Sequence, residues 1–575
     1  MKKLLVYLKD YKKECVLGPL FKLLEATFEL FVPLVIAAII DTGVGTGDTG
    51  YILKMSLVLV ILAVIGLVSA ITAQYFAAKA AVGFATKLRH ALFAHIEELS
   101  YTEFDNIGTS TLITRMTGDV NQVQNGVNLV LRLCLRSPFI VFGAMVMAFT
   151  VDVKAALVFV VAIPLLSIVV FGVMLISIPL YKKVQGALDR VLGITRENLT
   201  GVRVIRAFNK EESEIQTFND SNEKLTQMQI FVGKISALMG PMTYVIVNAA
   251  TVALVWTGAI QVNDGIITQG EVIALVNYMS QILVELVKLA NLIVNINKSL
   301  ASAARINTIL ETKPSMEKGA GKEVAGGQTD MSVSFDHVHL NYANAKEESL
   351  TDIHFEVKKG ETVGIIGGTG SGKTSVVNLI PRFYDATQGT VLVDGVNVKD
   401  YSIEALREKI GVVPQKAVLF KGTIRENLCW GLENATDEEI NEALEIAQAK
   451  EFVDQKGLDF MVEQGGKNLS GGQRQRLTIA RAVIKKPEIL ILDDSASALD
   501  FATDAKLRAA LSKMAGQMTV FLVSQRAASM MNADKIIVLD DGEIVGMGTH
   551  ATLLCDCEIY REIYESQFKS AGEGK

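Results

Sequence analysis

The run Gly367-Gly368-Thr369-Gly370-Ser371-Gly372-Lys373-Thr374 has the composition of a loop that holds phosphate. Its glycines let successive backbone N–H groups close around phosphate oxygens at the start of a helix, which Ser375 opens and which continues to Ile380. Lys373 supplies a point charge for β- and γ-phosphates, and Thr374 a hydroxyl for Mg2+. Just ahead, Val363–Ile366 reads as a short buried strand, so the loop lies in the strand–loop–helix setting that the chemistry needs. Downstream, the apolar strand Ile489–Leu492 ends in Asp493 and Asp494. Asp493 is the expected partner of Mg2+, although two acids at a strand end could, taken alone, be simply solvated.

A chain of 575 residues is too long for one domain, and its polarity is unevenly divided. Met55–Ala78 carries no charge over 24 residues, and Ala155–Tyr181 and Ile235–Asn263 run for 27 and 29. Each exceeds the roughly 20 residues that a helix needs to cross a bilayer core. Less pure spans cover about Gly18–Ile40, Ser137–Val151 and Val272–Ile296, which makes six crossings. The Lys-rich amino end lacks the small-residue cleavage site of a signal peptide. Lys2, Lys3, Lys9, Lys12 and Lys13 crowd that end, and the long connections 79–136 and 182–234 are rich in Lys and Arg. The short connections 41–50 and 264–270 have neither, so the termini and long loops are expected on the cytoplasmic side. Gly83–Leu99 and Leu188–Phe208 keep a helical apolar spacing, extending the membrane helices into the cytoplasm.

The net charge of −6 gives no reason to expect a nucleic-acid partner. Cys15, Cys134, Cys429, Cys555 and Cys557 show no metal-ligand pairing and read as reduced. Between 312 and 330 the sequence turns Lys-, Glu- and Gly-rich, as in Lys318–Lys322 and Gly326-Gly327, which is linker chemistry. Three regions follow: a transmembrane domain over 1–311, a linker over 312–330, and an α/β nucleotide-binding domain with a mainly parallel sheet over 331–575.

Other residues gain meaning from their order. Leu469-Ser470-Gly471-Gly472-Gln473 resembles the signature of an ABC transporter ATPase, and Gln415 in Val412-Val-Pro-Gln415 resembles its Q-loop glutamine, which senses Mg2+. Tyr342 resembles the aromatic that stacks on adenine, and Ser497-Ala-Leu-Asp500 resembles the D-loop. With six amino-terminal spans and a carboxy-terminal ATPase, nearly the whole chain resembles the half-transporter exporters of that family. Phe104–Gly108 with Arg115–Asp119 resembles their first intracellular loop, and Glu197–Gly201 through Arg206–Phe208 and Glu211 their second. The resemblance implies a type I exporter fold, ATP and Mg2+ as cofactors, and ATP held between the phosphate loop of one chain and the signature of another.

Two positions depart from the pattern. Asp494 stands where the family carries Glu to polarise the attacking water, and Gln525, in Val523-Ser-Gln525-Arg526, stands where it carries His on the γ-phosphate. Asp withdraws the carboxylate by about 1 Å, and misplacement on that scale can cost roughly a hundredfold in rate. Gln can donate a hydrogen bond but lacks the charge and proton exchange of imidazole. Both changes together resemble the degenerate half of bacterial heterodimeric multidrug exporters, whose intact signature serves the partner. Alternatives are a homodimeric lipid or peptide exporter with slow sites, and a nucleotide-gated channel or regulatory subunit. Within the spans, Glu25, Glu29 and Glu285, with Lys288 nearby, are candidates for a small amphiphilic, cationic substrate or for helix pairing. With no transit peptide visible, a bacterial plasma membrane is the expected location.

Overall fold

The computed structural model describes residues 3–317, 319, 329–343, 345–495, 498–514, 516 and 518–568. Most of the linker signal, including Lys318, Lys322, Gly326 and Gly327, lies outside the described residues, as does Ser497 of the D-loop. Contacts divide the chain into two units: Met1–Glu97 with Ser110–Thr312, and Glu98–Thr109 with Lys313–Lys575.

Among the described residues the first unit contains six helices long and apolar enough to cross a membrane. They are Leu4–Val44, Thr49–Glu97, Thr109–Val151, Val153–Thr200, Glu211–Asn263 and Gln269–Glu311. At 41 to 53 residues each, they are about twice the length of a bilayer crossing. Asp152 starts the fourth, its carboxylate accepting from Ala155 N at 2.7 Å, and Thr268 with Glu271 forms a capping box at the sixth.

Arg136, which the sequence places in a charged loop, instead lies within the third helix. The chain turns at Cys134–Leu135 and then resumes as Arg136–Val151, which carries the guanidinium inside the bundle. There Arg136 donates to Glu29 and to Glu285, each at 2.6 Å. Ser137 Oγ and Lys288 Nζ also donate to Glu285, both at 2.8 Å, while Lys22 pairs with Glu25 at 2.5 Å. Of the two roles open to these carboxylates, substrate contact and helix pairing, the ion pairs match helix pairing. All three acids have a basic partner, and for the buried Glu285 the absence of one would cost several kcal/mol.

In the second unit, β1 (Met331–Leu340), β2 (Leu350–Lys358), β4 (Gln388–Val393) and β5 (Val396–Asn397) form an antiparallel sheet ordered β2-β1-β4-β5. A second sheet, ordered β12-β11-β3-β10-β9-β6, contains β3 (Thr362–Gly367), β6 (Ile410–Val413), β9 (Ile489–Asp493), β10 (Thr519–Val523), β11 (Lys535–Asp540) and β12 (Glu543–Gly548). It is parallel except for the β11–β12 edge. A small pair joins β7 (Gly422–Thr423) to β8 (Met461–Val462). Continuous Val/Ile/Leu runs such as Ile489–Leu492 are what a parallel strand covered on both faces requires. The short helix Tyr101–Ile107 belongs to this unit. Its Tyr101 ring lies 4.9 Å from that of Phe383, and Tyr384 Oη donates to Asp105 at 2.7 Å.

Replacing Arg136 with Met should cost about 3–5 kcal/mol, because Glu285 is left buried without its guanidinium. The check is a lower thermal midpoint of the detergent-solubilised protein, partly restored by adding Glu285→Gln. An unchanged midpoint would show that the cluster contributes nothing.

Candidate functional site

Three parallel strands end side by side. Ile365 of β3 pairs with Val523 of β10, and Val523 pairs with Asp493 of β9. Residues leaving these strands share the carboxyl edge of the sheet, where open α/β folds form their ligand crevices. From β3 the chain turns through the phosphate loop into helix Lys373–Leu379. Gly372 has φ of 92°, and a Cβ there would lie 2.7 Å from Leu350 Cδ2 and 3.0 Å from Ser349 O. At Gly367 a Cβ would meet Leu539 O at 2.1 Å, so the loop can pass this close to β11 only as glycine.

Lys373 folds back over the loop. Its Nζ donates to Gly367 O at 3.1 Å, to Gly368 O, and to Ser371 Oγ at 3.2 Å. Burial lowers its pKa, while Asp494 and Asp493 oppose the shift. Phosphate oxygens are stronger acceptors than these neutral partners, so the ammonium is poised to exchange them for a ligand.

Thr374 Oγ1 stands 3.1 and 3.0 Å from the two oxygens of Asp493 and donates to that carboxylate. Burial raises the pKa of Asp493, and neighbouring Asp494 adds to the rise, against the hydrogen bond from Thr374 and the charge of Lys373. A buried carboxylate beside a hydroxyl and a second acid has only the Lys373 charge to offset it. These residues fit Mg2+, which Thr374 and Asp493 could hold directly, with Gln415 near enough to join them. Gln415 Nε2 donates to Asp494 Oδ2 at a long 3.4 Å. Asp494 has φ of 44°, a left-handed conformation that Asp tolerates better than most residues, and its N–H donates to Val523 O at 2.9 Å.

A cavity of about 690 Å³ brings together Thr369, Gly370, Gly372, Lys373, Thr374, Ser375, Gln415, Asp493, Asp494 and Gln525. Lys346, Glu347, Glu348 and Asp541 also line it, from loops with no motif of their own that the sequence reading could select, as does Ser524 beside Gln525. Tyr342 stands apart from this lining. Its hydroxyl donates to Ser375 Oγ at 3.0 Å, and its ring meets Tyr384 edge-on at 5.0 Å, beside a separate pocket of about 340 Å³.

The signature residues lie elsewhere in the unit. Ser470 Oγ accepts from Gln473 N at 3.3 Å and Gln473 Oε1 accepts from Ser470 N at 3.0 Å, a reciprocal cap on helix Gly471–Val483. Leu469 is buried, Ser470 and Gly471 are exposed, and none of Leu469–Gln473 lines the cavity. Asp500 caps helix Phe501–Ser512 by accepting from Thr503 N at 2.9 Å. That bond, with one from the Thr503 hydroxyl, lowers its pKa.

Comparison with known proteins gives these features a family. The description "ABC transporter transmembrane region" matches residues 15–286, and "ABC transporter" matches 350–497. The chain is 36% identical over 571 residues to the ABC transporter ATP-binding protein Rv1273c of Mycobacterium tuberculosis, covering 99% of this chain and 98% of that one. The chain belongs to the ABC transporter family. This ABC exporter half-transporter joins a multi-pass membrane region to an ATP-hydrolysing transport domain. It is 32% identical over 583 residues to YgaD of Bacillus subtilis, named for multidrug export, with 99% and 98% of the two chains covered. It is also 32% identical over 575 residues to an ATP-dependent lipid A-core flippase of Hahella chejuensis, with 99% and 97% covered. A solved bacterial Atm1-family ABC exporter with ATP bound shares the fold, with a TM-score of 0.78 at 23% identity over 97% of this chain and 98% of that one.

Thr374→Val should remove the Mg2+ contribution to nucleotide binding. The half-transporter as purified should bind ATP about tenfold more tightly with Mg2+ than with EDTA, the scale of one charge-assisted contact. The variant should bind equally in both conditions in an equilibrium-binding titration. An undiminished Mg2+ dependence would place the ion elsewhere.

Proposed function

We propose that this chain is one half of an ATP-driven exporter that pairs with a different half-transporter, and that its own ATP site turns over slowly. The observation that carries this reading is the presence of Asp494 and Gln525 in a site whose binding groups are otherwise complete. Lys373, Thr374, Asp493 and Gln415 would hold Mg·ATP, and Tyr342 would turn to stack on its adenine. The shortened carboxylate of Asp494 and the uncharged amide of Gln525 would leave ATP bound for long periods. Ser470 and Gly472, at the head of their helix and outside this chain's cavity, would complete the partner's site, where hydrolysis proceeds.

Two further observations support a partner. None of Leu469–Gln473 lines the chain's own phosphate cavity, which fits ATP meeting a signature from another chain. The second intracellular helix, Val202–Ala207, buries none of its residues within the chain, with Val204 60% and Phe208 72% exposed. Apolar side chains at such a tip suit docking onto another subunit.

The substrate class that fits is an amphiphile, whether drug or lipid. A pocket of about 330 Å³ among the membrane helices combines an apolar wall of Val32, Pro33, Ile36 and Ile140 with the polar side chains Gln281, Glu29 and Lys288. Because Glu29 and Lys288 both line it, the pocket does not select cations alone. Lys and Arg in the long loops support cytoplasmic termini, and bacterial relatives support a plasma-membrane location. A homodimeric lipid exporter is the second reading, favoured by the near-complete coverage of the lipid A-core flippase.

The pairing is tested by tagging the chain at its own locus and identifying what co-purifies by mass spectrometry. The expected result is a stoichiometric second half-transporter with Glu and His at the two altered positions; recovery of this chain only with itself overturns the heterodimer. In that assembly, with the partner's site disabled, Asp494→Glu combined with Gln525→His should raise ATP turnover roughly a hundredfold. Unchanged turnover would show that these two positions do not limit the site.

A further inference from the structure

Gln525 lies in the three-residue connection between β10 and the short helix Ala527–Met530. Such a connection has the backbone freedom to turn its middle side chain toward or away from the cavity. Ser524 N donates to Ile365 O at 3.2 Å, Arg526 N donates to Ser524 Oγ at 3.0 Å, Arg526 O accepts from Ser529 N at 3.1 Å, and the Arg526 guanidinium donates to Leu499 O at 3.5 Å. A further hold on the backbone comes from the far end of the unit. The Gln567 side-chain amide donates through Nε2 to Gln525 O at 2.8 Å and accepts through Oε1 from Ala527 N at 2.9 Å. The partners fix which end of the carboxamide is which, because a backbone carbonyl can only accept and an N–H can only donate. One planar group thus grips the backbone on both sides of residue 526.

The grip comes from an anchored element. Gln567 is on helix Glu558–Phe568, whose Tyr560 is fully buried and hydrogen-bonded to His550 Nδ1 at 2.8 Å. Tyr560 packs in one apolar cluster with Ala527 and Met530, the residues that open and close the helix after Gln525. Tyr560 thus fixes the helix against the segment after Gln525, and Gln567, exposed in the last turn of that helix, reaches back along it.

We propose that Gln567 is the positioning residue for Gln525, holding its backbone so that the side chain faces the γ-phosphate of ATP. The inference rests on the reading of position 525 as part of the ATP site. Glu at 567 has the right size but no donor for the Gln525 carbonyl, and Leu has neither donor nor acceptor. Asn has both but is one methylene too short to bridge the pair.

The experiment uses the transporter with whatever partner it co-purifies. Binding at this chain's site is read as protection of this chain from a photo-crosslinking ATP analogue, by Mg·ATP in one series and Mg·ADP in another. Gln567→Leu and Gln567→Glu should each weaken ATP protection about tenfold, the scale of losing two modest hydrogen bonds, and leave ADP protection unchanged. Gln567→Glu carries the test if the Leu variant does not fold. Gln525→Ala should show the same loss of ATP preference, and Gln567→Leu with Gln525→Ala should be no worse than Gln525→Ala alone. Equal weakening for ATP and ADP, no weakening, or a double variant whose loss is the product of the singles overturns the positioning role and leaves the ATP-site reading intact. An unchanged ATP preference in Gln525→Ala itself overturns that reading and the proposal together.

Discussion

The register of three parallel strands sets everything at the nucleotide site. Because β3, β10 and β9 end together, Gly367, Val523 and Asp493 leave the sheet at one edge, and the phosphate loop, Asp493–Asp494 and Ser524–Gln525 converge without any long side chain reaching across the fold. A slip of one residue in β9 would send Asp493 to the opposite face and separate the carboxylate from Thr374. The buried Val, Ile and Leu residues of these strands hold that register, each contributing about 1.5–3 kcal/mol by leaving water. Their apolar continuity is therefore as much a part of the site as Lys373.

The electrostatic problem is handled differently in the two units. In the membrane unit, three carboxylates are neutralised within the protein by Arg136, Lys288 and Lys22, so that charge links the first, third and sixth helices. At the nucleotide site, Asp493 and Asp494 stand close together with Lys373 turned onto loop carbonyls, an arrangement that favours arrival of a cation with a polyanion. One cluster is balanced and structural. The other lies open in a cavity and is suited to a ligand.

Much of this was legible in the sequence. The phosphate loop, its flanking strand and helix, and the strand ending in Asp493 are local patterns whose chemistry depends on neighbours in the chain. The three purest membrane spans were likewise evident from length alone. Arg136 was hidden because it reads as the last charge of a loop before the short span Ser137–Val151; only the return of Glu29 and Glu285 onto it explains how the helix Arg136–Val151 can begin with a buried guanidinium. Gln567 was hidden because its two bonds join residues about 40 apart, and an amide on a carboxy-terminal helix carries no motif. Tyr342 was recognised, yet its ring is packed on Tyr384, a contact that composition and spacing do not encode.

The central claim is that this chain holds ATP without readily cleaving it. The most direct test is to load the purified transporter with doubly labelled Mg·ATP, remove unbound nucleotide, and crosslink what remains to each chain. Intact ATP should be recovered on this chain's phosphate loop after many turnovers of the whole assembly. Recovery of ADP there, at the rate of overall hydrolysis, would contradict the claim and make Asp494 and Gln525 working catalytic groups.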